Sequence, residues 1–351
     1  MSQPIAVALV GYGFAGRVFH APLIAATDGV RLHTIVSRQT EAVAAAWPDV
    51  QRCAALESAL ADPAVDLVVI ATPNVHHAAQ AAAALTAGKH VVVDKPFTLT
   101  VREAASVIRV ANDAGRLLSV FHNRRYDSDF LTLQSVLREG LLGDVVQVES
   151  RFDRFRPEVR DRWRERDDPG AGVWYDLGPH LIDQALQLFG MPIGITTDLA
   201  RHRPGALVDD AFTAILRYDR RRVLLQASSV AAEHDLRFAV HGMAGSFVKH
   251  GADPQEAALK AGGSPRDSGW GDDPRPGVIT TIVGEQRASR PVASVPGDYG
   301  RYYAAIRDAI HGVGMNPVAP ADALAVMCLL EAGRESAATH REVAPVMHTP
   351  S

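Results

Sequence analysis

Apolar and polar positions follow two different rhythms along the chain, and the rhythm changes near residue 125. Before that point, short apolar runs are separated by segments with helical character. The predicted strands are 5–10, 31–36, 66–70, 90–93 and 117–121. The predicted helices are 17–26, 74–87 with Gly88 after it, and one from the Thr100 capping box to Gly115. This alternation predicts a parallel sheet with right-handed crossovers.

After residue 125 the pattern predicts helices over 130–139, 174–189 and, amphipathic, 321–339. Strand-like runs with short connections are 145–152, 193–200, 211–218, 223–230, 237–241 and 246–249. They favour a mostly antiparallel sheet. Residues 261–277 are rich in Gly, Pro and Asp and predict a loop. We therefore expect an α/β Rossmann domain over 1–124 and an α+β domain with an open sheet over 125–351, whose last helix can pack back on the first domain.

Composition narrows the class of protein. The 351 residues suit two domains, and 22% charged with 47% hydrophobic residues is typical of a globular enzyme. A net charge of -4 gives no electrostatic footprint for nucleic acid. Cys53 and Cys328 lie in alanine-rich surroundings and predict core positions, not a disulfide or a metal site. Without a signal peptide or a membrane-length apolar run, we expect a cytoplasmic protein with no membrane partner.

The segment GYGFAG follows the first predicted strand and opens the first predicted helix. Gly11, Gly13 and Gly16 fit the dinucleotide-binding spacing G-x-G-x-x-G, with Phe14 and Ala15 between them. The first glycine permits a tight turn, the second allows the pyrophosphate to approach the backbone, and the third allows close helix packing. Backbone amides at the start of a helix attract phosphate. The segment predicts a dinucleotide site; the alternative is merely a tight turn.

The end of the second strand indicates which dinucleotide is bound. NAD enzymes usually carry an acid there, but this chain has Ser37 and Arg38 and no acid before Glu41. A hydroxyl and a guanidinium can hydrogen-bond a 2′-phosphate, which a carboxylate would repel. NADP is therefore the predicted cofactor. NAD remains open, with Arg38 as an ordinary exposed arginine.

Two further strand ends carry candidate chemistry. Lys95 follows the run 90–93, where doubly wound sheets place their ligands, and Pro96 fixes the backbone after it. The alternative is a solvated lysine at a strand end. Thr72, Pro73, Asn74 and His76 follow the run 66–70, so contact with the cofactor is predicted there. Alternatively, Asn74 caps a helix and His76 and His77 are merely exposed.

Asp176, His180 and Asp183 are spaced i, i+4 and i+7, which places them on one face of the predicted helix. Histidine titrates near neutrality, so His180 can take a proton from a hydroxyl, and a nearby carboxylate can orient it. Three alternatives stay open. Asp176 can be a helix-capping acid, His180 a core histidine, or the triplet a metal site.

Residues 151–166 contain seven arginines and four acids. Their interleaving with aromatic residues is typical of some nucleic-acid surfaces. Because acids accompany the arginines, we predict a salt-bridged loop near the active site instead.

The combined motifs resemble those of the glucose–fructose oxidoreductase/inositol dehydrogenase family. The resemblance covers nearly the whole chain and is carried by GYGFAG, the segment around 72–76, DKP at 94–96 in place of the usual EKP, and GAGVWYDLGPHLID. Within the family, the segments 122–127, 162–165 and 270–271 are most similar to the NADP-dependent scyllo-inositol 2-dehydrogenase branch.

The resemblance implies catalytic Lys95, Asp176 and His180, with Asp94 as a shortened cofactor-side carboxylate. It implies hydride transfer between a nicotinamide and a ring hydroxyl of a cyclic polyol or sugar. The predicted pocket-lining residues are Asn123, Arg124 and Trp163. Two other functions remain possible: redox-assisted glycoside hydrolysis with tightly held NAD, and a non-catalytic NADP-binding regulator.

The strands after residue 190 place apolar groups on both faces of the predicted sheet. Leu224 and Leu225 are adjacent, and so are Val230, Ala231 and Ala232. A second apolar face needs cover, so we expect a homodimer or a homotetramer.

Overall fold

The computed structural model describes residues 3–346 and shows two sheets, each with its own helices. The first sheet has six parallel strands in the order β3-β2-β1-β4-β5-β6. They are β1 (Ile5–Val10), β2 (Val30–Val36), β3 (Gln51–Cys53), β4 (Leu67–Ile70), β5 (His90–Val93) and β6 (Leu118–Val120). The chain reverses its strand order between β1 and β4, which is where this kind of sheet binds its ligands.

Helices cover both faces of this sheet. They are α1 (Ala21–Ala26), which follows a π-helical turn over Gly16–His20, α2 (Thr40–Ala46), α3 (Leu56–Ala61), α4 (His77–Thr86) and α5 (Val101–Ala114). The predicted capping box is confirmed, because the Glu103 amide donates to Thr100 Oγ1 at 3.1 Å and the Thr100 amide to Glu103 Oε2 at 3.1 Å. The elements α2, β3 and α3 are absent from the pattern-based prediction, since each is short and largely exposed.

The second sheet has eight strands in the order β14-β13-β12-β11-β7-β10-β9-β8. They are β7 (Val145–Arg151), β8 (Gly194–Ala200), β9 (Ala211–Arg217), β10 (Arg222–Ser228), β11 (Leu236–Gly242), β12 (Gly245–His250), β13 (Gly277–Val283) and β14 (Gln286–Val292). All neighbouring strands are antiparallel except β7 and β10. The expected open, mostly antiparallel sheet is therefore confirmed.

The helices of this part are α6 (Ser128–Arg138), α7 (Val173–Phe189), α8 (Gln255–Lys260), α9 (Gly300–Ile310) and α10 (Pro320–Thr339). The predicted loop over 261–277 forms no helix or strand before β13 begins at its last residue. The hairpin of β13 and β14 and the helices α8 and α9 are absent from the pattern-based prediction. The hairpin could not be recognised by a buried face, because β14 is exposed along nearly its whole length.

Helix α10 is more completely buried than the amphipathic pattern of its sequence predicts. Its residues 323–330 are all buried, because it packs against α5 and β6 on one side and against α7 and β8 on the other. The Val101 amide donates to Glu331 Oε1 at 2.6 Å, so the last helix is bonded to the first sheet's layer. The domain boundary at residue 124 stays a prediction, and residues 1–2 and 347–351 of the two predicted domains lie outside the described residues. No helix within 3–346 combines the length and apolarity that crossing a bilayer needs.

Candidate active site

The glycine loop lies between β1 and α1, beside the end of β4. Gly11 has φ +99°, and a Cβ there would lie 2.7 Å from the Ala71 carbonyl oxygen. A Cβ on Gly16 would overlap the Gly11 carbonyl oxygen, whereas one on Gly13 would meet no atom within 4 Å. The first and third glycines thus allow the chain to pack closely, and the second faces open space. This cradle fits a dinucleotide pyrophosphate.

The two residues inside the glycine motif differ in exposure. Phe14 is 46% exposed and lies edge-on against Phe19, with ring centroids 5.9 Å apart. The Lys260 amino group, from α8, lies 5.4 Å from the Phe14 ring centroid. Ala15 is half-buried against the core. Helix α8, from the part of the chain that carries the second sheet, therefore contacts the glycine loop through Lys260.

Ser37 and Arg38 follow β2 and lie beside the glycine loop, because the Gly11 amide donates to the Val36 carbonyl at 3.0 Å. Ser37 is half-buried, and its hydroxyl accepts the Gln39 amide at 3.0 Å. Arg38 is exposed, and no residue within the described part of the chain accepts a hydrogen bond from its side chain. Its guanidinium is available to a ligand at this strand end.

The segment after β4 begins with Thr72, which is half-buried, and Pro73, which is exposed. Asn74 does not cap the helix that follows; its side chain donates to the Gly170 carbonyl at 3.0 Å. It ties the edge of the first sheet to the loop before α7. His76 is exposed, as the alternative interpretation expected.

His77 is fully buried, which corrects the interpretation of it as an exposed histidine. Its two ring nitrogens lie 2.9 Å from the Pro96 carbonyl oxygen and 2.9 Å from the Thr72 carbonyl oxygen. Burial lowers the pKa of His77. The ring therefore joins the ends of β4 and β5, where the candidate residues stand.

Asp94 lies at the end of β5 and is buried. Its Oδ1 accepts the Lys95 amide at 2.9 Å and lies 3.8 Å from His20 Nε2. Burial alone would raise the pKa of Asp94, but the neighbouring His20 and the charge of Lys95 lower it to about 2. Sequence reasoning missed His20, because only the fold brings the first helical turn to this strand end. The Lys95–Pro96 peptide bond is cis.

Lys95 and Asp176 form an ion pair between the end of β5 and the first turn of α7. Lys95 Nζ donates to Asp176 Oδ1 at 2.9 Å and to the Asp176 carbonyl oxygen at 2.6 Å. Burial lowers the pKa of the Lys95 ammonium, and the Asp176 carboxylate offsets only part of that effect. The predicted catalytic lysine and acid are thus in direct contact, and the interpretation of Lys95 as a solvated side chain is wrong.

Two arginines complete the surroundings of Asp176. Arg164 Nε lies 3.5 Å from Asp176 Oδ1, and an Arg154 nitrogen lies 3.7 Å from Oδ2. Burial alone would raise the pKa of Asp176, but the three surrounding cations hold it well below its usual range. Both arginines belong to the segment 151–166, which sequence reasoning singled out without assigning them to the site.

His180 lies one turn after Asp176 and is 5% exposed. Burial, together with the positive charges of Lys95 and Arg124, holds the pKa of His180 well below its usual range. Its Nδ1 is buried and has no hydrogen-bond partner among the described residues. The ring is therefore neutral at neutral pH.

Asp183 lies on the same helix but does not join the other two residues. Its carboxylate is held by Arg125, at 2.6 Å from Nη2 and 2.9 Å from Nε. Seven residues of helix span about 10.5 Å, so the i+7 residue reaches a different neighbour even though it shares a face. Of the three residues, only Asp176 and His180 therefore belong to the candidate site. Within 3–346, no group of three His, Cys, Asp or Glu side chains could hold a metal ion.

The three predicted pocket residues have different surroundings. Asn123 is 4% exposed, in the turn after β6. Arg124 pairs with Asp127 at 3.2 Å and Glu256 at 2.6 Å, yet its buried Nε has no partner among the described residues. Trp163 is half-buried, and the Arg164 guanidinium lies 4.9 Å from its ring centroid.

The prediction that residues 151–166 form a salt-bridged loop holds for only part of the segment. Within the loop, ion pairs join Arg151 to Asp153, Arg162 to Glu165 and Arg166 to Asp161. The other arginines are not paired with the loop's own acids. Two of them approach Asp176 instead, because the chain folds this loop over the start of α7. Cys53 is half-buried, and Cys328 is buried in α10 as predicted.

Comparison with known proteins gives matches along nearly the whole chain. The family model "Oxidoreductase family, NAD-binding Rossmann fold" matches residues 5–122, and the model "Oxidoreductase family, C-terminal alpha/beta domain" matches residues 134–346. The uncharacterized oxidoreductase YdgJ of Escherichia coli is 54% identical over 96% of this chain and 97% of its own length.

Two other relatives extend the likeness. The scyllo-inositol 2-dehydrogenase (NADP(+)) IolW of Bacillus subtilis is 39% identical over 97% of this chain and 95% of its own length. The structure of the putative oxidoreductase YPO2259 from Yersinia pestis superposes with a TM-score of 0.95 at 48% identity, covering 99% of both chains. The chain therefore belongs to the Gfo/Idh/MocA family of oxidoreductases, the glucose–fructose oxidoreductase/inositol dehydrogenase family that its motifs resemble.

Proposed function

We propose that this oxidoreductase transfers hydride between NADP and a ring hydroxyl or ketone of a cyclic polyol or sugar. The observation that carries the proposal is the buried contact of Lys95 with Asp176, one helical turn from a neutral His180. The cluster stands at the end of β5, on the same sheet edge as the glycine loop. A small molecule bound there would lie between a cofactor and groups that handle protons.

Lys95 binds the reacting hydroxyl and stabilises the negative charge that develops on its oxygen. Its ammonium has three donors and spends two of them on Asp176, so one remains for the substrate. His180 accepts the hydroxyl proton, because its lowered pKa keeps the imidazole neutral at neutral pH. A positioned general base contributes roughly 10²–10⁴-fold to the rate. In the reduction direction, the two residues return the proton to the carbonyl oxygen.

Asp176 does not take the proton in this scheme. Three cations hold its pKa well below the usual range, so it stays ionised and accepts a hydrogen bond from a neighbouring hydroxyl. Its carbonyl and carboxylate also fix the Lys95 ammonium in place. Asp176 is therefore an anchor for both the lysine and a vicinal diol.

The bound nicotinamide supplies the hydride acceptor in oxidation and the hydride donor in reduction. The residues that would hold the dinucleotide are those of the glycine loop and of the ends of β2, β4 and β5: Gly11, Gly13, Phe14, Ala15, Gly16, Ser37, Arg38, Thr72, Pro73, Asn74, His76, Asp94, Lys95 and Pro96. Ser37 and Arg38 favour a 2′-phosphate because residues 37–40, at the end of β2, contain no carboxylate. The name of the Bacillus subtilis relative agrees with NADP and with a polyol substrate.

Asn123, Arg124 and Trp163 complete the proposed substrate pocket. The buried Nε of Arg124 has no partner among the described residues and offers a donor next to His180. The rival proposals fit less well. Redox-assisted glycoside hydrolysis does not explain Ser37 and Arg38, and a non-catalytic regulator does not need the lysine, the acid and the histidine together.

The outer face of the second sheet supports a homo-oligomer. Across neighbouring strands, Ile215, Leu224, Ala239, Val248 and Val278 stand in one row, interrupted by Glu149. Ile215 is 37% and Val278 40% exposed, whereas the opposite face of the same strands is buried. We propose that a second copy of the chain covers this row, which gives a homodimer or a homotetramer.

The cofactor proposal predicts that wild-type enzyme prefers NADP to NAD. Arg38→Ala should raise the Michaelis constant for NADP by roughly 10–100-fold, since a hydrogen bond to a charged group is lost, and should hardly change that for NAD. Initial rates with both cofactors measure this, with Arg102→Ala on the exposed side of α5 as the control. A wild-type enzyme that turns over only with NAD would contradict the proposal.

The catalytic proposal predicts that Lys95→Ala and His180→Ala each lower kcat by roughly 10²–10⁴-fold while NADP still binds. The double variant should lose less than the product of the two single effects, because both groups act on one proton. Stopped-flow turnover and cofactor titration measure the two quantities, with His311→Ala on the surface after α9 as the control. Near-wild-type turnover in either single variant would exclude the assignment.

The oligomer proposal predicts a dimeric or tetrameric mass by light scattering at micromolar concentration. Leu224→Glu should shift that mass towards the monomer, since it places a charge within the outer row. Val313→Glu changes an equally apolar but 79% exposed residue after α9 and should leave the mass unchanged. A strictly monomeric wild type would show that solvent covers the outer face.

A further inference from the structure

Three arginines beside the candidate active site have no hydrogen-bond acceptor for their side chains. They are Arg154, Arg156 and Arg164, and no residue within 3–346 accepts a hydrogen bond from any of their guanidinium groups. Each guanidinium has five N–H donors and is charged at any physiological pH. All three side chains are half-buried, so bulk water does not fully solvate these donors.

Aromatic rings hold two of these guanidinium groups. Arg154 lies 5.3 Å from the centroid of Phe152, which also has Arg124 at 4.4 Å. Arg164 lies 4.9 Å from the centroid of Trp163. A ring face attracts a cation without using up its N–H donors in conventional hydrogen bonds. The arginines are thus positioned while their donors stay available.

The backbone that carries them is firmly anchored. The amides of Arg154 and Arg156 donate to the carbonyls of Ser228 at 2.8 Å and Ser229 at 2.7 Å, which continues the second sheet beyond β10. Residues two apart on an extended segment point to the same side, so the two guanidinium groups share a side. The buried Arg203 donates to the Arg156 carbonyl at 3.3 Å and to Glu165 Oε2 at 3.1 Å, which fastens the rest of the loop.

The site has more positive than negative charge. Lys95, Arg154 and Arg164 all approach the single carboxylate of Asp176, at 2.9, 3.7 and 3.5 Å. Arg156 adds a fourth cation, and burial and the charge of Arg154 lower the pKa of its guanidinium. The nearby Glu256 does not balance this charge, because Arg124 and Lys260 already occupy it. A neutral polyol would leave this excess uncompensated.

We propose that the substrate is an anionic polyol or sugar, whose carboxylate or phosphate group binds Arg154 and Arg156 while its ring hydroxyl meets Lys95 and His180. Arg164 contributes charge beside Asp176 Oδ1. The inference rests on the proposed function and narrows its substrate class. Carboxylates and phosphates share the oxyanion that paired guanidinium groups recognise with charge-assisted hydrogen bonds.

Matched substrates test this inference on the NADP-loaded enzyme. Glucose, glucuronate and glucose 6-phosphate form one series, and myo-inositol and an inositol monophosphate form another. We expect kcat/KM to be at least about tenfold higher for an anionic member than for its neutral partner, and to fall as salt screens the charge. Whether the carboxylates or the phosphates respond identifies the source of the oxyanion.

Arginine variants separate charge recognition from catalysis. Arg156→Gln should raise KM for the anionic substrate by roughly 10–100-fold and change KM for its neutral partner, and for NADP, less than about twofold. Arg166→Gln is the matched control, since it removes an arginine of the same loop that pairs with Asp161 at the surface. Its kinetics should equal those of the wild type.

The failures are distinguishable. Equal kcat/KM for neutral and anionic members, or a preference for the neutral ones, would overturn the inference and leave the proposed function standing. If no member is turned over, the proposed function fails, and calorimetric titration of the same compounds decides the inference. Binding of an anionic member that Arg156→Gln loses and Arg166→Gln keeps would support it; no such binding, or a loss of NADP binding in Arg156→Gln instead, would overturn it.

Discussion

The site depends on one buried ion pair, which joins Lys95 at the end of β5 to Asp176 in the first turn of α7. Burying two charges is expensive, and their attraction alone often fails to compensate for it. Here Arg154 and Arg164 add positive charge around the carboxylate, and the Asp176 carbonyl gives the lysine a second acceptor. The pair links the parts of the chain that carry the two sheets, so the site exists only when both are assembled.

Burial and the charges around this ion pair also determine the protonation states of Asp176 and His180. Burial, together with the charges of Lys95 and Arg124, lowers the pKa of His180 and keeps it neutral, whereas Lys95, Arg164 and Arg154 overcome the effect of burial on Asp176 and keep it ionised. One residue is thereby fixed as an acceptor of hydrogen bonds and the other as an acceptor of a proton. At its backbone end, Lys95 donates its amide to the Asp94 carboxylate at 2.9 Å, so the residue contacts two carboxylates.

Local signals in the sequence are sufficient for the fold class and for part of the site. The capping box at Thr100 and the spacing of Gly11, Gly13 and Gly16 depend on residues a few positions apart, and the structure shows both as predicted. Signals that depend on distant partners were not available.

The sequence indicates Arg154 and Arg164 only as members of a charged loop, since nothing in it specifies which acid a loop arginine will contact. Asp183 was grouped with His180 by helical spacing, but Arg125 from another segment holds it. The sequence of α10 is amphipathic, but residues 323–330 are all buried because α5, β6, α7 and β8 pack against it, and a local pattern does not indicate those neighbours.

The pH dependence of kcat/KM for alcohol oxidation, at saturating cofactor, tests the central claim most directly. A neutral His180 must accept the proton, so the rate should stay level near neutral pH and fall only as pH drops below the ordinary histidine pKa, about 6.5. The rate should fall again as pH rises, at a pH below the ordinary lysine pKa of about 10.4, because burial lowers the pKa of the Lys95 ammonium. His180→Asn should abolish the fall in kcat/KM at low pH, the acid limb of the profile. An acid limb at or above about 6.5, or one that survives in His180→Asn, would contradict the account.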